Sequence, residues 1–121
     1  VQYAHARICS VFRQIVERGL ETPADAAPNY DLLREPRELD LLRTVSKYPE
    51  VVAAAAKALE PHQVAYYLRD LATDFHAYYN AHPFLSREAE LRLARLGLID
   101  ATRQVIANGL DLLGVGAPQS M

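Results

Sequence analysis

Apolar residues recur at helical spacing along nearly the whole chain, and no stretch keeps the strict alternation that is typical of a β-strand. Prolines at positions 36, 49 and 61 mark where helices are expected to begin, because the fixed φ angle of proline suits the first helical turn. Gly19 and Gly114 mark expected helix ends, since glycine readily adopts a left-handed cap. The spacing predicts an all-α bundle of about five helices, forming a single domain over residues 1–121. The apolar positions expected to face the core are Ala4, Ile8, Val11, Phe12, Ile15, Val16, Leu39, Leu42, Val45, Val64, Leu68, Leu71, Phe75, Tyr78, Leu91, Ala94, Leu98, Ile99, Ala101, Val105, Ile106, Leu110 and Leu113.

Two longer loops are predicted between the helices. The first covers residues 20–35, where the helical pattern breaks down and Thr22-Pro23 could start a short helical turn. The second covers residues 80–85 and precedes the last helix. Ser86 is expected to cap that helix, because a serine hydroxyl can accept a hydrogen bond from one of the first free amides.

Composition limits the classes of function that the chain can have. Half of the 121 residues are hydrophobic, which is enough for one core, and no run of apolar residues is long enough to span a membrane. The formal net charge of −2 argues against a nucleic-acid binder that ignores sequence, since such proteins carry a broad basic field. Any role in binding nucleic acid must therefore depend on local contacts.

The beginning of the chain and its cysteine content suggest where the protein works. The chain starts with Val1 inside a helical pattern, without an initiator methionine or the pattern of a secretory signal. We expect it to be a fragment of a longer protein whose catalytic domain, if there is one, lies elsewhere. The single cysteine, Cys9, is expected to fill space in the core, and a cytoplasmic location is the simplest interpretation of its lack of a disulfide partner.

No motif for catalysis or metal binding is present. The five glycines are scattered and form no phosphate-binding loop, and the four histidines lack the spacing of a metal site. Asp70 and Asp74 lie one helical turn apart and could act as a carboxylate pair in a catalytic bundle. No Glu-x-x-His sequence accompanies them, so a solvated helix face is the preferred interpretation. We expect no catalytic residue, no metal and no cofactor in this chain.

The first helix carries a polar strip made of Tyr3, Arg7, Ser10 and Gln14, opposite its apolar face. A tyrosine and an arginine one turn apart can stack an RNA base on the ring while the guanidinium binds the base edge or a phosphate. A cation–π contact within one solvated helix explains the same spacing equally well.

Seven tyrosines and no tryptophan make an uneven aromatic set. Tyr66-Tyr67 and Tyr78-Tyr79 are adjacent pairs on one predicted helix, so one ring of each pair can enter the core while the other lies at its edge. Exposed rings are surfaces on which unpaired RNA bases stack, although interior packing is the commoner role of tyrosine. A helical module that binds another protein through tyrosine anchors is the alternative function.

Both ends of the chain resemble a known family. Val1 to Arg7 reads Val-Gln-Tyr-Ala-His-Ala-Arg and resembles the start of the anticodon-binding domain of arginyl-tRNA synthetases. Asp100-Ala101-Thr102-Arg103 differs at one position from the Asp-Ala-Leu-Arg sequence after which this type of domain is named. The Gly-Leu-x-Leu-Leu-Gly run at 109–114, followed by Ala117-Pro118 and a final Met121, resembles the C-terminal end of the bacterial enzymes in particular.

The resemblance implies the fold of an anticodon-binding helical bundle of class I aminoacyl-tRNA synthetases. It implies a domain that binds the anticodon stem-loop of arginine tRNA, whose middle anticodon base, a cytosine, is a principal identity element. Tyr3 and Arg7 match family positions that contact the anticodon loop, Tyr79 matches an aromatic residue that stacks on it, and Met121 matches a terminal residue at the anticodon pocket. Gln119-Ser120 departs from the family, in which a charged pair is common, and leaves the contacts of the tail open.

The resemblance also implies a longer parent enzyme. Its catalytic domain would pack against this domain in cis and use ATP and arginine to charge the tRNA. We expect the enzyme to be a cytoplasmic monomer.

Overall fold

The computed structural model describes residues 1–20, 27–82, 84 and 88–121. These residues form five α-helices: α1 (Gln2–Glu17), α2 (Pro36–Ser46), α3 (Tyr48–Ala58), α4 (His62–Ala81) and α5 (Ala89–Leu112). A short 3₁₀ helix, Tyr30–Leu32, precedes α2. The prediction of an all-α bundle of about five helices is confirmed. None of the described helices is long and apolar enough to cross a membrane.

Helix α4 lies at the centre of the bundle and packs against α1, α2, α3 and α5. Its predicted stripe is buried throughout, with Phe75 and Tyr78 fully inaccessible to solvent. On the other side, α5 packs against α1, α2, α4 and the 3₁₀ helix. The two long helices approach closely at Gly109, where an added Cβ atom would lie 2.7 Å from the Leu68 side chain. A larger residue at this crossing would force the Leu68 side chain to move.

The predicted helix boundaries are mostly confirmed. Gly19 follows α1 with a φ angle of +65°, and Gly114 follows α5 with a φ angle of +73°, so both adopt the left-handed conformation expected of them. Helix α3 begins one residue before Pro49, which takes the second helical position. The prediction that Ser86 caps α5 is wrong, because the helix begins at Ala89 with Glu88 as its N-cap residue. Ser86 itself and the Thr22-Pro23 turn lie outside the described residues.

Two predicted core positions are exposed. The apolar spacing placed Leu39 on the buried face of α2 and Val16 on that of α1, yet their side chains are 38% and 62% exposed. In α2 the inner face contains Leu41 and Glu38, both fully buried. Glu38 and Leu41 are three residues apart, as expected for one helix face, but apolar spacing could not identify this face because Glu38 is charged. Val16 occupies the penultimate position of α1, and the described residues leave its side chain largely exposed.

Glu38 is buried because it pairs with an arginine of the last helix. Its carboxylate oxygen Oε1 accepts a hydrogen bond from Arg95 Nη2 over 3.3 Å, and only 1% and 9% of the two side chains are exposed. The Tyr78 hydroxyl lies in the same environment. Burial first, and then the charge of Glu38, raise the pKa of this hydroxyl well above its usual value. The pair joins α2 to α5 inside the bundle.

Candidate nucleic-acid interface

The polar strip of α1 faces the end of α4. Tyr3 and Arg7 lie in the first two turns of α1, and His76 and Tyr79 lie one turn apart near the end of α4. The guanidinium carbon of Arg7 is 3.8 Å from the centre of the Tyr79 ring and 5.3 Å from that of Tyr3. The cation–π contact that the sequence left open thus exists, but its closest ring belongs to another helix.

His76 completes this group, and no functional role was predicted for it. Its Nδ1 atom lies 3.1 Å from Arg7 Nη1, and its ring stacks on Tyr3 with the centroids 5.6 Å apart. Burial, the nearby charge of Arg7 and then the amino group of Val1 lower the pKa of the imidazole below its ordinary value. Because His76 precedes Tyr79 by three residues, helical spacing could have placed the two on one face.

The tail that follows α5 lies along α1, and three side chains of α1 bind its backbone. Gln2 Nε2 donates to the Gly116 carbonyl over 2.9 Å, and Arg13 Nη1 donates to the Gln119 carbonyl over the same distance. Between them, the His5 ring nitrogen Nδ1 is 2.7 Å from the Pro118 carbonyl, which can only accept, so Nδ1 is the donor. All three bonds use backbone oxygens of the tail. The departure from the family at Gln119-Ser120 therefore leaves these contacts possible.

A prediction follows for His5, the buried donor of this set. We expect His5→Phe to preserve the packing of the ring but to release the tail, at a cost of about 1 kcal/mol for the lost hydrogen bond. Heteronuclear NOE values of the amides from Gln119 to Met121 should fall, which reports faster motion on the picosecond-to-nanosecond timescale. The exposed His62→Phe serves as a matched control. Unchanged NOE values in His5→Phe would show that the tail is held by other contacts.

The docked tail closes one side of a cavity of about 250 Å³. Among the described residues, two arginines and no acidic side chain contribute to its wall, so their side-chain charge is positive although the whole chain is mildly acidic. Tyr3 is 51% exposed and Met121 75% exposed at its rim, while Tyr79 and Arg7 are half-buried. An exposed ring, a half-buried ring and two guanidinium groups suit the stacking of a base and the binding of a phosphate. The lining residues are Tyr3, Ala6, Arg7, Ser10, Arg13, Tyr79, Ser120 and Met121.

All four residues selected from the sequence thus meet at one place. Tyr3, Arg7, Tyr79 and Met121 line the same cavity, although they come from α1, α4 and the tail. Ser10 of the polar strip joins them, and Gln14 does not. Arg13 is the lining residue that sequence reasoning missed. It lies three residues after Ser10, so the helical spacing that defined the polar strip could have included it.

The other tyrosine pair lies far from this cavity. Tyr67 is buried and its hydroxyl donates to the Thr44 carbonyl over 2.5 Å, whereas Tyr66 is 49% exposed beside Arg69. Burial, followed by the nearby Tyr48, raises the pKa of Tyr67 to about 12. The expectation of one inner and one outer ring is met in this pair. It is met also at Tyr78 and Tyr79.

The two aspartates of α4 have different surroundings. Asp74 accepts a hydrogen bond of 2.7 Å from the Thr44 hydroxyl, and Asp70 is exposed on α4. Within residues 1–20, 27–82, 84 and 88–121, no three His, Cys, Asp or Glu side chains come together in a way that could hold a metal ion.

Known proteins similar to this chain share one family. A family model described as the DALR anticodon binding domain matches residues 1–121. Arginine–tRNA ligase of Thioalkalivibrio sulfidiphilus is 57% identical over 122 residues, and that of Halorhodospira halophila is 61% identical over 123 residues. The matches cover 100% and 99% of this chain but only 21% of either relative, so the chain spans about a fifth of their length.

Solved structures show the same relationship. The arginyl-tRNA synthetase of Thermus thermophilus superposes with a TM-score of 0.85 at 37% identity, over 99% of this chain and 20% of that protein. The enzyme of Plasmodium falciparum superposes with a TM-score of 0.74 at 27% identity, over 98% of this chain and 20% of the other. These matches give no support to the alternative of a protein-interaction module. With the family model matched over the entire sequence, the chain belongs to the DALR anticodon-binding domain family.

Proposed function

We propose that this chain is the C-terminal anticodon-binding domain of an arginine–tRNA ligase and that it binds the anticodon stem-loop of arginine tRNA. The observation that carries the proposal is the meeting of Tyr3, Arg7, Tyr79 and Met121 at one cavity, whose described side chains carry a net positive charge. The relatives described above are arginine–tRNA ligases, which supports the identity of the parent enzyme.

The binding mode follows from the side chains. Tyr3 presents an exposed ring on which an anticodon-loop base can stack, and Arg7 and Arg13 can bind a base edge or a phosphate in the planar manner that guanidinium groups favour. Tyr79 supports Arg7 from beneath through its cation–π contact. Met121 adds a flexible apolar surface at the rim. The middle anticodon base, a cytosine, is the base that we assign to this cavity.

The rest of the enzyme follows from the same proposal. A catalytic domain in cis would use ATP and arginine to charge the tRNA, and this domain would contribute binding energy and discrimination without a cofactor of its own. A monomeric, cytoplasmic enzyme is the expected setting. The domain would act through the tRNA, because binding at the anticodon helps to position the distant acceptor end for the reaction.

Substitution of the cavity residues in the intact ligase tests this function. We expect Arg7→Ala and Tyr79→Leu each to weaken the binding of arginine tRNA by ~1–3 kcal/mol, the usual contribution of a stacked base contact. Fluorescence anisotropy with labelled tRNA measures the affinity. The same titration with a tRNA altered at the middle anticodon base measures discrimination, which should shrink in both variants.

The chain offers a matched control for this experiment. Tyr66 and Arg69 form a similar exposed cation–π pair, with the guanidinium 5.2 Å from the ring, about 20 Å away along α4. Tyr66→Leu and Arg69→Ala should leave both tRNA affinities unchanged. If the cavity variants bound and discriminated as well as these controls, the assignment of the anticodon to the cavity would be wrong.

A further inference from the structure

We infer that His76 is a positioning residue for arginine-tRNA recognition: its imidazole holds the Arg7 guanidinium in place against Tyr79. The inference rests on the proposed function and extends it to a residue outside the cavity wall. His76 contacts the Arg7 side chain, which lines the cavity, and is not itself a lining residue.

The direction of the hydrogen bond defines the form of the imidazole. A guanidinium group is protonated throughout the accessible pH range and can only donate. The bond of 3.1 Å from Arg7 Nη1 to His76 Nδ1 therefore requires an unprotonated Nδ1, with the ring proton on Nε2. The neutral ring accepts from Arg7, and the protonated ring could not.

Two aromatic contacts hold the imidazole itself. Tyr3 of α1 stacks on it at 5.6 Å with an angle of 26° between the planes, and Phe75 of α4 packs at 5.4 Å. The imidazole thus lies between both helices. An arginine side chain has a large rotamer entropy, on the order of 2 kcal/mol. Because His76 and Tyr79 already restrict Arg7, less of this entropy is lost when RNA binds.

The charges around His76 predict how acid affects this arrangement. In the described residues, the groups that face it are Arg7 and Tyr3 of α1 and the amino group of Val1, with Tyr79 on the next turn of α4. Burial and Arg7 lower its pKa even where Val1 is joined to a preceding residue. The neutral ring therefore persists at neutral pH. As the pH falls through the lowered pKa, Nδ1 gains a proton, the acceptor is lost and a cation faces Arg7.

Two variants distinguish the role of the His76 hydrogen-bond acceptor from that of its aromatic ring. His76→Phe keeps an aromatic ring beside Tyr3 without an acceptor, whereas His76→Asn offers a carbonyl oxygen at the position of Nδ1 and does not titrate. The intact ligase and both variants are titrated with arginine tRNA and with the same tRNA altered at the middle anticodon base, at about pH 8 and about pH 5. The readout is the ratio of the affinities for the two tRNAs. Protonation of the enzyme at low pH adds positive charge that strengthens the binding of both tRNAs alike, so it does not change this ratio.

We expect His76→Phe to reduce this ratio roughly three- to tenfold at about pH 8, the value of one hydrogen bond, and His76→Asn to retain most of it. The ratio of the unaltered enzyme should fall at about pH 5, and that of His76→Asn should not. A His76→Phe enzyme that discriminates like the unaltered one, or an equal loss at low pH in His76→Asn, would overturn the inference. Failure of the proposed function is distinguishable, because the unaltered enzyme would then show no preference between the two tRNAs.

Discussion

Glu38→Ala is expected to lower the free energy of unfolding of this chain by about 3–5 kcal/mol, the usual result of removing one member of a buried ion pair. Glu38 is fully buried, and Arg95 as a whole residue is 7% exposed. The substitution would therefore remove the carboxylate that faces the arginine, in a place where water cannot readily replace it. Urea unfolding followed by circular dichroism measures the change.

An exposed ion pair on the same helix serves as the matched control. Arg43 and Asp40 are also separated by 3.3 Å, but 70% and 58% of their side chains are exposed. Asp40→Ala should therefore cost less than about 1 kcal/mol. The double variant Glu38→Met, Arg95→Leu should recover most of the stability lost in Glu38→Ala, because it removes both buried charges. If Glu38→Ala lowered the free energy of unfolding no more than Asp40→Ala does, the buried ion pair would not be a major determinant of stability.

Phe75→Ala is expected to destabilise the chain to a similar extent, about 3–5 kcal/mol, because it removes a large ring from a close-packed core. Phe75 is fully buried, and the rings of Phe84, Tyr79 and His76 surround it with centroids 6.3, 6.0 and 5.4 Å away. The substitution also removes support from the two α4 residues that hold Arg7. We expect tRNA discrimination by the intact ligase to fall even at temperatures at which the variant is fully folded.

Phe12 provides a comparison for this effect. It is only half-buried, packs against the edge of the core and lies under the Arg103 guanidinium at 4.5 Å. Phe12→Ala removes the same atoms and should cost clearly less than Phe75→Ala in urea unfolding, without loss of discrimination. Equal losses of stability in the two variants would show that the fully buried Phe75 stabilises the fold no more than the half-buried Phe12 does.

A mildly acidic domain can bind RNA if its basic side chains are concentrated. The net charge of −2 gives no general attraction for a polyanion. In the described part of the chain, the cavity wall contains Arg7 and Arg13 and no acidic side chain, so the local side-chain charge differs in sign from the net charge of the whole chain. Binding that depends on a few local contacts favours discrimination between RNAs over general affinity.

The amino-acid sequence by itself determined the helical class, the number of helices and most of the core. Helical spacing identifies the stripe on α4 because every member of that stripe is apolar, and backbone conformation explains the caps at Gly19 and Gly114. The family resemblance identified Tyr3, Arg7, Tyr79 and Met121 as a set. Helical spacing placed Tyr3 beside Arg7, but nothing in the spacing indicated that Tyr79 and Met121 would join them.

The tertiary structure alone decided the contacts between segments distant in sequence. The buried face of α2 contains a charged residue, Glu38, which becomes stable inside the core only when Arg95 of α5 lies opposite it, and a pattern of apolar spacing contains no information about such a partner. For the same reason a role for His76 became visible only in the fold, where α1 places Arg7 and Tyr3 against it. Local propensity depends on neighbours within a few residues, whereas a binding cavity and a buried charge depend on groups that only the folded chain brings together.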